Sequence, residues 1–275
     1  MIKENIVVYQ RGEQKGTPQM KTYDVELHLS EEDKNIGIGM SGGMDSAMLL
    51  WLLAYYIDKN GWDITIHQWT CTLDERPFQF HHAKKVIAFI KNYFPSVKFG
   101  EHRHKVVNAV EYIDAGTALS WELAIDRKCT AMFNGVTKNP GDREGAYWGK
   151  AWIKRNPDRD VNTEWEEERH KLIECVGQSP SQLKKGLCGE FYENLPFIHD
   201  DKRIVLALYK KYGLLLDMGP LTRSCEGGWE RTEGFSIECK RCWWCIEKQW
   251  ATAHIWNNDP GYQLKQYPGV FEEGL

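Results

Sequence analysis

The segment from Asn35 to Tyr56 most constrains what this chain can fold into. Asn35-Ile36-Gly37-Ile38-Gly39-Met40 is the short apolar run of a buried strand, and Asp45 to Tyr56, rich in Leu, Ala, Met and aromatic residues, reads as a buried helix. Ser41-Gly42-Gly43 joins the two. A strand that turns through glycines into a helix aims several backbone N–H groups at one point, and the helix N-terminus adds partial positive charge. That makes an anion cradle.

The cradle lacks the lysine of the G-x-x-x-x-G-K-[ST] phosphate loop, so its donors are backbone N–H groups and the hydroxyls of Ser41 and Ser46. Asp45 would repel a polyphosphate unless a cation stood between them, and Mg²⁺ held by a carboxylate and phosphate oxygens is the usual arrangement. We therefore expect Asp45 to carry magnesium. The residues by themselves define a phosphate cradle and leave open which phosphate bond breaks.

Strands and helices continue to alternate after the loop. Asp63 to Thr70, Val97 to Glu101 and Thr130 to Gly135 read as further strands, with Phe80 to Tyr93 and Ala118 to Arg127 as the helices between them. This order predicts an α/β fold with a parallel sheet flanked by helices, which binds ligands at the carboxyl ends of its strands. Before it, Ile6 to Tyr9 and Tyr23 to Leu29 read as a hairpin or two edge strands. Asp201 to Tyr212 reads as a late helix stopped by Gly213. Residues 137–169 are polar and Trp-rich, with turn chemistry at Asn139-Pro140-Gly141-Asp142 and a charge run from Glu164 to Arg169, as in a long connection beside a ligand site.

Composition narrows the class. A net charge of −4 supplies no global attraction to nucleic acid, so stable nucleic-acid binding is not expected. No run of about 18 apolar residues and no leader pattern occurs, from which we expect a cytoplasmic protein without membrane contact.

Eight cysteines in such a chain should be reduced thiols. Four follow the spacing C-x13-C-x2-C-x2-C at Cys225, Cys239, Cys242 and Cys245. Paired C-x2-C spacings let thiolates converge on one tetrahedral ion, and four sulfurs with no open position form a structural Zn²⁺ site; the spacing leaves an iron–sulfur cluster open. Cys71 and Cys129 fall in or beside predicted strands as inert core residues, and Cys175 and Cys188 share no spacing. Trp243, Trp244 and Trp250 are expected to dock the cysteine module onto the main domain.

Ser41-Gly42-Gly43-Met44-Asp45-Ser46, in this strand-and-helix order, resembles the pyrophosphatase-loop (PP-loop) ATPases of the adenine nucleotide α-hydrolase-like group. That resemblance implies ATP as substrate and attack at its α-phosphate: an oxygen is adenylated, pyrophosphate leaves, and a nucleophile displaces AMP. Within that group, Leu221-Thr222-Arg223-Ser224-Cys225-Glu226-Gly227-Gly228 and the cysteine run after it are similar to the tail of 7-cyano-7-deazaguanine synthases. Leu195-Pro196-Phe197-Ile198 is similar to that family's proline-led strand, Asp201-Lys202-Arg203-Ile204 to its lysine-started helix, and Phe133-Asn134-Gly135-Val136 to its fourth strand and turn.

The resemblance implies conversion of 7-carboxy-7-deazaguanine and ammonia to the nitrile, with ATP activating first the acid and then the amide oxygen. It implies catalytic roles for Ser41, Asp45 and Ser46, and a nucleotide site formed by Met40, Ser41, Gly42, Gly43, Met44, Asp45, Ser46 and Gly135. Arg76, His81 and Lys202 are candidates for substrate or phosphate contacts. ATP, Mg²⁺ and Zn²⁺ are the expected cofactors, a small 7-deazaguanine derivative and ammonia the expected partners, and a homodimer remains open. The expected organisation is an N-terminal extension over 1–30, a PP-loop domain over 31–220 and a four-cysteine module over 221–275. Two other readings stay open: a different adenylating enzyme acting on a nucleobase or forming an amide, and a non-catalytic ATP-binding protein.

Overall fold

A computed structural model describes residues 1–11, 18–139, 147–148, 151–152, 169–174, 189–234, 236–240 and 242–256. Its first element is a hairpin of β1 (Ile2–Arg11) and β2 (Pro18–Leu27), paired antiparallel from Ile2 opposite Leu27. Alternation places Ile6, Val8, Val25 and Leu27 on the buried face, where they join the main hydrophobic core. The polar anchor is Glu4, which accepts hydrogen bonds from Tyr56 and Lys211. Burial alone would raise its carboxyl, but bonds from Lys211, Tyr56 and Tyr212 hold it below the ordinary range.

The central sheet contains β3 (Asn35–Gly39), β4 (Thr65–Leu73), β5 (Lys98–Val107), β6 (Ala131–Phe133), β9 (His170–Glu174) and β10 (Glu190–Asn194) in the spatial order β5-β4-β3-β6-β10-β9. All neighbours are parallel except β9 against β10. A two-residue pair, β7 (Tyr147–Trp148) with β8 (Ala151–Trp152), lies apart from it. Helix α1 (Met44–Asn60) is buried along most of its length and ends at Gly61 in the left-handed region. With α2 (Phe78–Tyr93) and α4 (Lys202–Lys211) it supplies the core that receives Ile36 and Ile38. The opposite side carries α3 (Tyr112–Asp126), whose Leu123 and Ala124 pack with Cys129, Met132 and Phe191. Sheet faces covered on both sides explain why β3 after Asn35, and all of β6, carry no polar side chain.

The strand order places the site. From β3 the chain runs outward to β4 and β5 and then returns to β6 on the other side of β3. The carboxyl ends of β3 and β6 therefore flank a topological switch point, where doubly wound sheets bind ligands. Residues 40–46 leave β3 there, and Asn134 and Gly135 leave β6.

Several boundaries differ from the sequence reading. Strand β5 continues six residues past Glu101, to Val107, paired along its length to β4. Helix α3 begins at Tyr112 instead of Ala118. Leu195-Pro196-Phe197-Ile198, expected as a strand, is a turn: Ile198 N–H donates to Leu195 O at 3.1 Å and Asp200 N–H to Phe197 O at 2.8 Å. Pro196 has no N–H for a ladder, and the strand precedes it as β10. Helix α4 starts where expected, capped by the Asp201 carboxylate, which accepts the Arg203 N–H at 3.0 Å. The acidic run at 164–168, Cys175 and Cys188 lie outside the described residues, as does the Trp250 side chain. No helix among the described residues is long and apolar enough to cross a membrane.

Candidate functional site

Met40 is held at the mouth of β3 by two bonds, its N–H to Trp69 O at 2.7 Å and its O from the Thr70 hydroxyl at 2.7 Å. After it the backbone turns through Gly42 at φ 77°, a left-handed conformation in which a Cβ would also lie 2.6 Å from Gln79 O. Gly43 is the N-cap of α1 and offers no side-chain acceptor, and the first intrahelical bond is Ala47 N–H to Gly43 O at 3.2 Å. The N–H groups of Asp45 and Ser46 precede that bond and face out of the helix end. Ser41 and Ser46 bring their hydroxyls to 3.1 Å, and the Ser41 Oγ accepts the Gly43 N–H at 3.2 Å. Ser41 is exposed to an entering ligand. N–H groups placed this way at a helix N-terminus can donate to a phosphate oxygen.

Asp45 and Lys202, 157 residues apart in the sequence, meet here. The Lys202 ammonium, 1% exposed, pairs with Asp45 Oδ2 and lies 3.8 Å from Glu247 Oε2, itself 0% exposed. Asp45 Oδ1 is buried without a hydrogen-bond partner. An ionised oxygen in that condition is costly unless a cation completes it, so the donor set suits Mg²⁺ shared with phosphate. Gly135 closes the side toward β6: a Cβ there would stand 2.9 Å from Asp45 C and 2.9 Å from Ser46 N. Beneath, the Tyr209 hydroxyl donates to Met44 O at 3.2 Å.

The remaining wall comes from the segment before the first cysteine. Arg223 N–H donates to Gly42 O at 2.8 Å, and Ser224 Oγ accepts the Met44 N–H at 3.5 Å. The Arg223 guanidinium lies over the Phe78 ring at 4.5 Å and donates to Ile237 O at 2.7 Å. His82 Nδ1 donates to Leu221 O at 2.7 Å, and burial depresses that imidazole. Arg76 pairs with Glu226 at 2.8 Å and Glu75 at 3.7 Å. Of the three candidate contacts, Lys202 therefore lies at the loop, Arg76 is engaged with the cysteine module, and His81 is exposed on α2 beside the His82 ring.

The sulfurs of Cys225, Cys239, Cys242 and Cys245 all lie within 4.8 Å of one another, an arrangement that could hold a metal ion. Backbone N–H groups of Cys239, Gly227, Cys242 and Glu226 donate to these sulfurs at 3.1 to 3.4 Å, as thiolate ligands require. Hydrogen bonds from Cys242 and Cys245, reinforced by N–H groups of Cys239 and Gly227, hold the Cys225 thiol well below its usual range despite burial. Cys71 and Cys129 are buried and raised by desolvation, Cys129 to about 12, so neither is a ready nucleophile. Trp243 and Trp244 are half-buried and meet edge to face at 4.8 Å.

Glu247, Arg223 and Ser224 are the site residues that sequence reasoning did not assign. Arg223 and Ser224 carried a signal in directly preceding a cysteine ligand; Glu247 carried none, being one acidic residue in a helix, α5 (Trp243–Trp256). No family model and no curated protein sequence matches this chain. Among solved structures, the U34-tRNA thiolase NcsA from Methanococcus maripaludis, with its 4Fe-4S cluster, is similar at 13% identity and a TM-score of 0.40, over 66% of this chain and 58% of that one. The described α/β fold thus rests on its own strand order, and the present chain spans less than two thirds of that structure.

Proposed function

We propose that this chain is an ATP-using enzyme that adenylates a carboxylate or amide oxygen of a small substrate and releases pyrophosphate. The observation carrying the reading is the meeting of bare N–H groups at the start of α1 with an Asp45 carboxylate whose Oδ1 lacks a partner and whose Oδ2 is held by Lys202. In this reading the Asp45 and Ser46 N–H groups and the Ser41 hydroxyl bind phosphate oxygens, and Lys202 balances the charge that develops as pyrophosphate leaves. Mg²⁺ held by Asp45 Oδ1 would neutralise the phosphates and orient them for displacement. Attack at the α-phosphate is taken from the S-G-G-x-D-S resemblance.

For the substrate we propose 7-carboxy-7-deazaguanine with free ammonia. Carboxylate oxygen is a poor leaving group; transfer of AMP to it, with loss of pyrophosphate, lets ammonia form the amide and expel AMP. A second adenylation on the amide oxygen, followed by loss of AMP and of both protons on nitrogen, gives the nitrile. For the cysteine site we propose one Zn²⁺, because four sulfurs within 4.8 Å are close to the spacing of about 3.8 Å that a tetrahedral ion with Zn–S bonds of about 2.3 Å requires.

Purified protein with 7-carboxy-7-deazaguanine, ammonium and Mg-ATP, followed by mass spectrometry, tests the reading. Nitrile with two AMP per molecule supports it in full. AMP without nitrile would move the chain to another adenylating activity, and absence of AMP with every substrate tried would leave an ATP-binding protein.

A further inference from the structure

We propose that the four-cysteine site is a positioning element of the phosphate loop, such that metal bound by the cysteines and nucleotide bound by the loop each tighten the other. The proposal rests on the nucleotide reading above and on two separate arms that run from metal ligands to the loop. One arm is sequence-adjacent to Cys225. Arg223 N–H holds Gly42 O at 2.8 Å and Ser224 Oγ takes the Met44 N–H at 3.5 Å. The fit is close at Ser224, because a Cβ on Gly43 would lie 3.3 Å from Ser224 Oγ, and it is in ordinary contact at Arg223 O, 3.8 Å away. The other arm leaves Cys245: two residues on, Glu247 Oε2 lies 3.8 Å from the Lys202 ammonium that pairs with Asp45.

These arms begin at different cysteines, which thiol and N–H···S hydrogen bonds link and which a bound metal would join by coordination. Coordination fixes the distance between Cys225 and Cys245 and with it the separation of Ser224 from Glu247. Both residues then act on the same few atoms. Ser224 holds the Met44 N–H and thereby the start of α1, while Glu247 shares the Lys202 charge that would otherwise bear wholly on Asp45. Without metal the separation of Ser224 from Glu247 is no longer fixed through the sulfurs, and the nucleotide must order it, which costs affinity. Arg76 with Glu226 at 2.8 Å, and His82 with Leu221 O at 2.7 Å, tie the same segment to α2, so the arm is held on its outer side as well.

Ser224 and Glu247 are positioning residues: neither is a metal ligand. Linkage makes the effect reciprocal, because a metal that tightens nucleotide by some factor must itself be held tighter by that factor when nucleotide is bound. A module that merely stabilises the fold could slow zinc loss through global stability, but Ser224→Ala and Glu247→Gln would then not weaken nucleotide at an unchanged unfolding temperature.

The test uses the full zinc-loaded chain and the non-cleavable nucleotide Mg-α,β-methylene-ATP. Calorimetry measures its affinity, and a colorimetric chelator measures the rate of zinc loss with and without it. We expect nucleotide to slow zinc loss by about fivefold or more. Ser224→Ala and Glu247→Gln should each keep one zinc and the wild-type unfolding temperature to within a few degrees, yet weaken nucleotide by about fivefold and shrink the protection of zinc by the same factor. Equal zinc-loss rates with and without bound nucleotide, or wild-type affinity in both variants, would overturn the coupling. Failure of the wild-type protein to bind the nucleotide at all would instead overturn the loop reading and this proposal with it.

Discussion

Lys202 places its ammonium on one carboxylate oxygen of Asp45, and the other oxygen of Asp45 is buried with no partner. A carboxylate already half neutralised by lysine binds a divalent cation poorly by itself. Phosphate brings the additional negative charge that makes the shared site favourable, so magnesium and nucleotide should arrive together.

Replacement of Asp45 by asparagine keeps the shape and removes the charge. Lys202 retains Glu247 at 3.8 Å, so the unfolding temperature should stay within a few degrees of wild type. AMP and pyrophosphate formation should fall by about 100-fold or more, the scale of losing one charge-stabilising group at a reacting centre. Asp45→Asn turnover near the wild-type rate would remove magnesium from this carboxylate.

Cys242→Ser removes one of four sulfurs that lie within 4.8 Å of one another. Structural zinc in small modules is worth about 10–16 kcal/mol, far more than packing of this short segment can replace. Metal analysis should find about one zinc in wild type and in Cys71→Ser, and none in Cys242→Ser, which should also unfold at lower temperature. Retained zinc in Cys242→Ser would move the ligand set elsewhere.

Much of this site was legible in the sequence because its signals are local. The loop from Met40 to Ser46 is one strand end and one helix start, and the four cysteines announce themselves by spacing. The turn at Leu195–Ile198 was misread because four apolar residues look alike as a strand or as a buried corner; Pro196 and the 2.8 Å bond from Asp200 N–H decide it. The extension of β5 to Val107 was hidden by Glu101, His102, Arg103, His104 and Lys105, which are polar because the strand is at the sheet edge. Lys202 with Asp45 is a contact across 157 residues, and nothing in either segment names the other.

His102 offers a pH test. The Thr70 hydroxyl donates to Met40 O at 2.7 Å, so its oxygen must accept from His102 Nε2, 2.8 Å away. Burial, then the charges of His104, Lys91 and Lys84, depress His102 to about 4 from an ordinary value near 6.5. The unfolded chain binds the proton more readily, so this group's contribution is complete above about pH 6.5 and is lost as pH falls toward 4. Asp200, raised by burial to about 6, acts in the opposite direction over the same range, so the comparison must be between variants. His102→Gln can still donate to Thr70. Its unfolding temperature should fall less between pH 7 and pH 5 than that of wild type, by about 2 °C or more; identical slopes would mean that His102 is not held neutral.

The final prediction separates two glycines by what surrounds them. A methyl at Gly135 would stand 2.9 Å from Asp45 C, 2.9 Å from Ser46 N and 3.0 Å from Asp45 O. All three are backbone atoms at the start of α1, so no flexible side chain can give way, and the methyl must push the helix start from β6. Overpacking of this kind costs about 1–3 kcal/mol in stability. The larger effect should fall on nucleotide affinity, because the displaced atoms are the ones that carry the phosphate donors and the Asp45 carboxylate. At Gly228 nothing lies within 4 Å of a Cβ. Gly135→Ala should therefore weaken Mg-nucleotide binding by about tenfold or more, whereas Gly228→Ala should leave both binding and unfolding temperature unchanged. Equal nucleotide affinity in the two variants, measured by calorimetry, would mean that the end of β6 is not a wall of the nucleotide site and that the loop binds phosphate without it.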